Sequence, residues 1–509
     1  MKNVKQYLPG LMILVLFAVL SSFIYRDYGI SFDEVIQREI GEVNYNFVFH
    51  DDNTLETYLD KEYGVGFELP LIIIEKKLNL TDLNDVFTMR HVVTHAMFLL
   101  CMFAGYVLAL KLFQNQFIAV ATFLMLLLSP RIYAHSYFNT KDIPSLSVVM
   151  LCFLVGYNAL NKKNILSYSI AGIVCGFAIG LRLMNMIIAA PIIGYLLIDI
   201  ISNIKNYKTA LKNLISLILF VSIAWLVIVA SWPSLWKDPY IRIVEYYKHL
   251  SKFRWEGSVL LNGQAIKATE LPWYYIPQWF AITVPIFWQI LCVIGIGITG
   301  VLFIKKPINI LNDVKTRLLL IFVFCFIGPV AAVIYLKAVL YDDWRHLYFI
   351  YPSFVFLAAF ALSELMKTKL KIPAISLFAI QLVLVLFFFI KYHPNQNVYF
   401  NEFESREQDN LMHKYELDYW QHSFKQGLRW VAANSDKETI YINTKIMLLR
   451  NFWCLEPELR QRFKSTEYDS LLDYHLEVFR TEAYKYSRAE ATHEIIVLGS
   501  PIIRIKKMK

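Results

Sequence analysis

Apolar stretches separated by short charged connections recur along most of the chain, each near the roughly 20 residues a helix needs to cross a hydrocarbon layer about 30 Å thick. About eleven runs emerge, at 8–25, 91–113, 115–130, 143–160, 165–181, 183–201, 211–231, 279–304, 318–337, 347–366 and 372–391, of which the third is short. Beyond residue 391 the pattern changes. HSFKQGLRWVAAN (422–434) carries helical character, whereas TIYIN (439–443) and EIIVLG (494–499) read as strands, predicting a small α/β unit. The fold class expected is a polytopic α-helical membrane protein, with a transmembrane module over 1–391 and a soluble domain over 392–509.

Composition agrees with that pattern: 57% of the 509 residues are hydrophobic and only 18% charged, too few charges for the surface of one soluble core. The first run follows Lys2 and Lys5, but no A-x-A-like cleavage site comes after it, so it reads as an uncleaved first helix. Lysine and arginine concentrate in one set of short connections, including Lys111, Lys162, Lys163, Lys205, Lys208, Lys305, Lys306, Lys367 and Lys369. Such connections favour the cytoplasm, which puts the amino terminus inside and residues after about 392 outside. The net charge of +9 is largely this bias and carries no nucleic-acid signal. Five of the six cysteines fall in predicted spans and only Cys454 in the tail, leaving no outer pair for an intramolecular disulfide and no C-x-x-C zinc spacing.

The outer face holds the long segments: a first loop at 26–90, a second at 232–278, and the tail. FELPLIIIEKKL (67–78) in the first loop is too short to span and suits a helix lying in the interface. ELPWYYIPQW (270–279) in the second has the aromatic residues of a headgroup belt. Ionisable residues gather at this same face. Asp33 and Glu34 follow the first span, and one short loop between the third and fourth spans holds Arg131, His135, Asn139, Lys141 and Asp142. The fifth span ends at Arg182, and YDDWRHLYF (341–349) supplies Asp342, Asp343, Arg345 and His346. Ionisable groups at membrane depth are costly and usually face a cavity with a partner. A transporter would bury them near the middle of broken helices; here they stand at the ends. The inventory suits transfer of a sugar from a lipid phosphate to a hydroxyl. A carboxylate takes the acceptor proton, cations receive the charge growing on phosphate, and the leaving phosphate needs no general acid.

Seven phrases in order resemble a known family: DE (33–34), YGVGFELP (63–70), SYFNTKDIP (136–144), ELPWYYIP (270–277), WRHLYFIYP (344–352), HPNQNVYFNE (393–402) and ELDYW (416–420). They are similar to bacterial membrane glycosyltransferases of the GT-C fold, in the dolichyl-phosphate-mannose protein mannosyltransferase-like group, family 39 and its neighbours, which includes the aminoarabinose transferases. The likeness runs from about residue 20 to residue 430. It departs from the pattern at 63–70, where VG and EL stand in place of Gly-Pro and Asp, and in the tail after 435.

The resemblance implies that Asp33 is the catalytic base, that Glu34 shapes the site, that Asp142 arranges it or binds donor or metal, and that the donor is a polyprenyl-phosphate sugar. The expectation is therefore an inverting glycosyltransferase at the outer face of the cytoplasmic membrane, acting on a hydroxyl of a protein, lipid or glycan. Its catalytic candidates are Asp33, Glu34 and Asp142, and its substrate-binding candidates Lys141, Arg182, Arg345, His346, Arg131 and His135. A divalent metal is left open, since Asp33, Glu34 and Asp142 offer oxygens to a hard cation; no other cofactor is expected. The alternatives are a carrier or flippase of lipid-linked sugars without chemistry, and an assembly partner acting through its tail.

Overall fold

The computed structural model describes residues 5–251, 254–305, 307, 313–406, 411–480 and 491–508. Among them, eight helices are long and apolar enough to cross a membrane, or nine if a bent pair forms one span. The chain is a multi-pass membrane protein. Helices cover all eleven expected runs, but Leu8–Ile24 and Ile165–Leu181 are shorter apolar helices, so eleven crossings stay an expectation.

The first half runs α1 (Leu8–Ile24), α2 (Phe32–Phe49), α3 (Glu68–Lys77), α4 (Leu83–Phe113), α5 (Gln116–Leu127), α6 (Pro130–Phe138), α7 (Asp142–Lys162), α8 (Ile165–Leu181), α9 (Met186–Ser202) and α10 (Tyr207–Ala230). After it come α11 (Pro239–Ser251), a hairpin of β1 (Ser258–Leu261) and β2 (Gln264–Lys267), then α12 (Tyr275–Thr283), α13 (Ile286–Lys305), α14 (Val314–Tyr335), α15 (Tyr351–Leu365) and α16 (Lys371–Lys391).

Three expectations change. The segment 129–144, read as a short loop, is mostly helical: Pro130 opens α6 at a position where its missing N–H costs nothing, and α6 meets α5 at 59°. The run 279–304 is divided, because Pro285 cannot continue a helix and holds Val284 extended between α12 and α13. Helix α4 starts at Leu83, capped by Asp82, ahead of the expected 91, which carries Arg90 and His91 into the helix.

Close packing comes from small residues. Gly172, Gly176 and Gly180 recur every fourth position on α8, and a Cβ there would crowd Phe220, Ala224 and Ser231 of the α10 segment. That spacing lets two helices approach without side chains between them. Helix α15 is the innermost, with every residue from Tyr351 to Ser363 buried, while Leu226, Val293, Val383 and Ile390 leave apolar surface exposed on the outer helices, as a lipid-facing surface requires.

The tail forms the α/β unit its pattern predicts. Helices α17 (Phe424–Ala433) and α18 (Ile446–Trp453) accompany a five-stranded sheet of β3 (Ile440–Asn443), β4 (Phe463–Thr466), β5 (Tyr474–Glu477), β6 (His493–Val497) and β7 (Ser500–Lys507), in the order β4-β3-β5-β7-β6. β3 runs parallel to β4 and β5, and β7 antiparallel to β5 and β6. This unit grips the stretch between α1 and α2. Asn451 Oδ1 accepts from the Ile30 N–H at 2.9 Å, Arg429 pairs with Asp27 at 3.0 Å, and Gly29 lies so close to the His422 carbonyl that no Cβ fits.

Candidate active site

Ser31, Phe32, Asp33 and Glu34 open α2 through a capping box. The Glu34 N–H donates to Ser31 Oγ at 3.3 Å, and the Ser31 N–H donates to Glu34 Oε2 at 3.0 Å, so two orphan donors of the helix start are satisfied reciprocally. Glu34 is buried, and its Oε1 lies 3.2 Å from His91 Nε2. These contacts seat the start of α2. Asp33, one residue earlier, keeps 21% of its side chain exposed and turns to Arg345, whose Nη1 stands 3.2 Å from its Oδ2.

Arg345 is the hub. The same Nη1 lies 3.2 Å from Asp142 Oδ2, and Nη2 donates to Asp342 Oδ2 at 2.9 Å. The guanidinium plane packs over Trp420 at 4.8 Å and Tyr341 at 5.0 Å. Three carboxylates from three parts of the chain thus meet one buried arginine, and Arg182 adds a second cation on Asp142. Buried charges of both signs this close offset one another's desolvation. The loop that delivers Asp342 and Asp343 holds both in the left-handed region, at φ 55° and 61°, a conformation uncommon for residues with a Cβ and frequent at functional sites. It sends them to different partners. Asp342 goes to Arg345, while Asp343 accepts from Arg131 at 2.8 Å and from the Tyr419 hydroxyl at 3.0 Å. Burial pushes Asp343 up to about 6, against the pull of Arg131.

Beside the hub lies a cavity of about 400 Å³, within the size range of small-ligand sites. Lys141, Arg182, His346, Tyr63 and Tyr341 give it polar walls, and Met186, Ile187, Val333 and Leu336 apolar ones. Met184, Met186 and Leu336 are also exposed, so the cavity opens between the start of α9 and the end of α14. Lys141 Nζ sits 3.8 Å over the Tyr63 ring. Burial and the neighbouring Arg182 draw its ammonium down to about 8. Gly64 lines the same cavity and touches the last turn of α8 so closely that a Cβ would overlap the Gly180 carbonyl oxygen. Gly64→Ala must therefore push the loop off α8, next to Arg182. A loss of about 1–3 kcal/mol is expected, read as a lower thermal midpoint in detergent together with weaker ligand binding in the cavity.

Of the expected site residues, Asp33, Asp142, Arg182 and Arg345 form one ion-pair network, and Lys141 and His346 join Arg182 at the cavity. Glu34, Arg131 and His135 stand apart from the cavity lining. Arg131 is buried over Trp279 and Phe400, at 5.3 and 4.9 Å, and donates to the Tyr399 carbonyl at 2.9 Å. His135 Nε2 lies 3.0 Å from the Tyr419 hydroxyl and its ring packs on Trp420. Sequence reasoning had noted Asp342 without placing it in the site, and had noted Trp420 only within the ELDYW phrase. Arg480 in the tail went unnoticed, since nothing local distinguishes it. The capping box, by contrast, was readable as S-x-x-E. Among the described residues no three His, Cys, Asp or Glu side chains converge as cation ligands. Of the three acids that were metal candidates, Asp142 is engaged by Arg182 and Arg345, Glu34 by Ser31 and His91, and Asp33 by Arg345.

Residues 82–225, from the cap of α4 through most of α10, match the family model described as dolichyl-phosphate-mannose-protein mannosyltransferase. No curated protein matches the chain. Two crystal structures of the Archaeoglobus fulgidus oligosaccharyltransferase, one tethered with an acceptor peptide and one in the apo form, align over 92% of this chain and 69% of that one. Identity is 13% and 12%, and the TM-score is 0.44 in both cases. Through residues 82–225 the chain is similar to membrane glycosyltransferases of the GT-C class.

Proposed function

We propose that the protein transfers a sugar, with inversion, from a polyprenyl-phosphate donor to an acceptor hydroxyl at the outer face of the cytoplasmic membrane. The observation that carries this reading is the cavity: a cationic rim of Lys141 and Arg182 adjoins an apolar recess that opens between the start of α9 and the end of α14, and a chain of ion pairs runs from Arg182 through Asp142 and Arg345 to Asp33. A phosphate needs the first, a polyprenyl chain the second, and an acceptor proton the third.

In this scheme the donor enters sideways with its phosphate against Arg182, Lys141 and His346. Asp33 accepts the proton of the acceptor hydroxyl as that oxygen attacks the anomeric carbon. The bond from that carbon to the phosphate oxygen breaks, and its electron pair stays on phosphate. The donor's single negative charge becomes two on the leaving polyprenyl phosphate, so cations at the rim are worth more in the transition state than in the ground state. Arg345 orients Asp33 and receives no proton. The residues on this path lie at one end of the bundle. Residues 1–391 act as the catalytic module, and the tail unit lies on the same, extracytoplasmic side.

The test is purified protein with a panel of radiolabelled polyprenyl-phosphate sugars, wild type against Asp33→Asn. Transfer by the wild type and none by the variant is expected. No transfer by the wild type would overturn the reading in favour of a carrier, and equal transfer by the two would remove Asp33 from the role of base. The rim makes a further prediction. Lys141 is cationic below about 8 and neutral above it, so kcat/KM for the donor should fall as pH rises through that value. Lys141→Arg, whose charge persists, should move this alkaline limb upward.

A further inference from the structure

Arg480 follows β5 in the tail unit, yet its side chain reaches the hub. It donates through Nη2 to Asp342 Oδ1 and through Nε to Glu416 Oε1 at 2.8 Å. The other oxygen of Asp342 is shared between Arg345, at 2.9 Å, and the Trp420 indole N–H, at 3.1 Å. Asp342 is therefore a carboxylate held between two guanidinium groups, one from the helical bundle and one from the tail. Glu416, also from the tail side, is buried, and burial pushes its carboxyl above the usual carboxylate range against the pull of Arg480. Nothing in the scheme above uses either residue.

We infer that Arg480 is a positioning residue for the transfer reaction, through which the tail unit sets the orientation of Arg345 and so of Asp33. The inference rests on the reading of Asp33 as the acceptor's base. Its physical content is competition for one arginine. Arg345 offers Nη2 and Nε to Asp342 and Nη1 to Asp33 and Asp142. While Arg480 neutralises half of Asp342, Arg345 is free to face all three acids. With Arg480 gone, the whole charge of Asp342 falls on Arg345, the fork turns toward it, and Asp33 loses its ion-pair partner, keeping only the field of Lys141. A carboxylate that loses a nearby cation holds its proton more tightly, and a reacting group displaced by an ångström loses rate steeply. Trp420, packed on the same guanidinium, limits the turn to the plane it allows.

The experiment compares full-length wild type, Arg480→Gln, Arg480→Lys and Asp33→Asn in nanodiscs. Arg480→Gln should lower kcat by about tenfold to a hundredfold with donor KM little changed, and should move the acid limb of kcat/KM to higher pH. Arg480→Lys, which restores the charge without the fork, should recover the pH profile and only part of the rate. Carbodiimide labelling of Asp33, located by peptide mass spectrometry, reads the same coupling without any turnover, and in Arg480→Gln it should extend to higher pH than in wild type. Wild-type labelling of Asp33 in folded Arg480→Gln would overturn the inference, even if that variant loses activity. If no donor is turned over by the wild type, the transferase reading fails by itself, and the labelling comparison still decides whether Arg480 controls Asp33.

Discussion

Asp33→Asn is expected to lower kcat by about 10²–10⁴-fold, the usual contribution of a positioned general base, while the protein folds and still binds donor. Asparagine keeps the shape of the side chain and an oxygen for Arg345, whose Nη1 contacts Asp33 Oδ2 at 3.2 Å, so packing at the start of α2 is preserved. It cannot take the proton. Donor affinity should persist because the proposed scheme puts phosphate and lipid against Lys141, Arg182, His346 and the apolar walls of the cavity, none of which touches Asp33 in an ion pair. Isothermal binding of a non-transferable polyprenyl phosphate alongside single-turnover transfer separates the two effects. Loss of binding together with turnover would move Asp33 from base to ligand.

The second large effect is on Arg345. Replacing it by methionine leaves Asp142 and Asp342 buried with one cation fewer each, and breaking a buried pair by removing one partner costs about 3–5 kcal/mol. The thermal midpoint in nanodiscs should fall accordingly, and transfer should be lost. Adding Asp342→Asn to Arg345→Met removes one of the two carboxylates left with a single arginine. Stability should then recover in part while activity does not, because Asp33 still lacks its cation. Equal recovery of both would make Arg345 a structural staple only.

Much of this was legible before any coordinates. Helix length and apolarity are properties of consecutive residues, and the lipid solvent imposes them span by span, so the runs from 8–25 to 372–391 could be read directly. The strands at 440–443 and 493–497 followed from local patterning for the same reason. Asp33, Asp142, Arg182 and Arg345 stood out because charges are expensive where they lie. Glu34, named with the site acids, also carries the S-x-x-E spacing of a cap, and Arg131 and His135, grouped with the substrate-binding residues, lie outside the cavity lining.

What the linear order determined, then, is a membrane bundle with a small α/β tail and opposite charges concentrated at one end, since apolar periodicity and desolvation act on neighbours in the chain. Which acid stays partly exposed, which arginine holds three carboxylates, where an apolar recess meets a cationic rim, and that Arg480 returns from the tail to Asp342 were decided only by the tertiary structure. Ion pairing depends on distances of a few ångströms between residues hundreds of positions apart, and no local pattern encodes those.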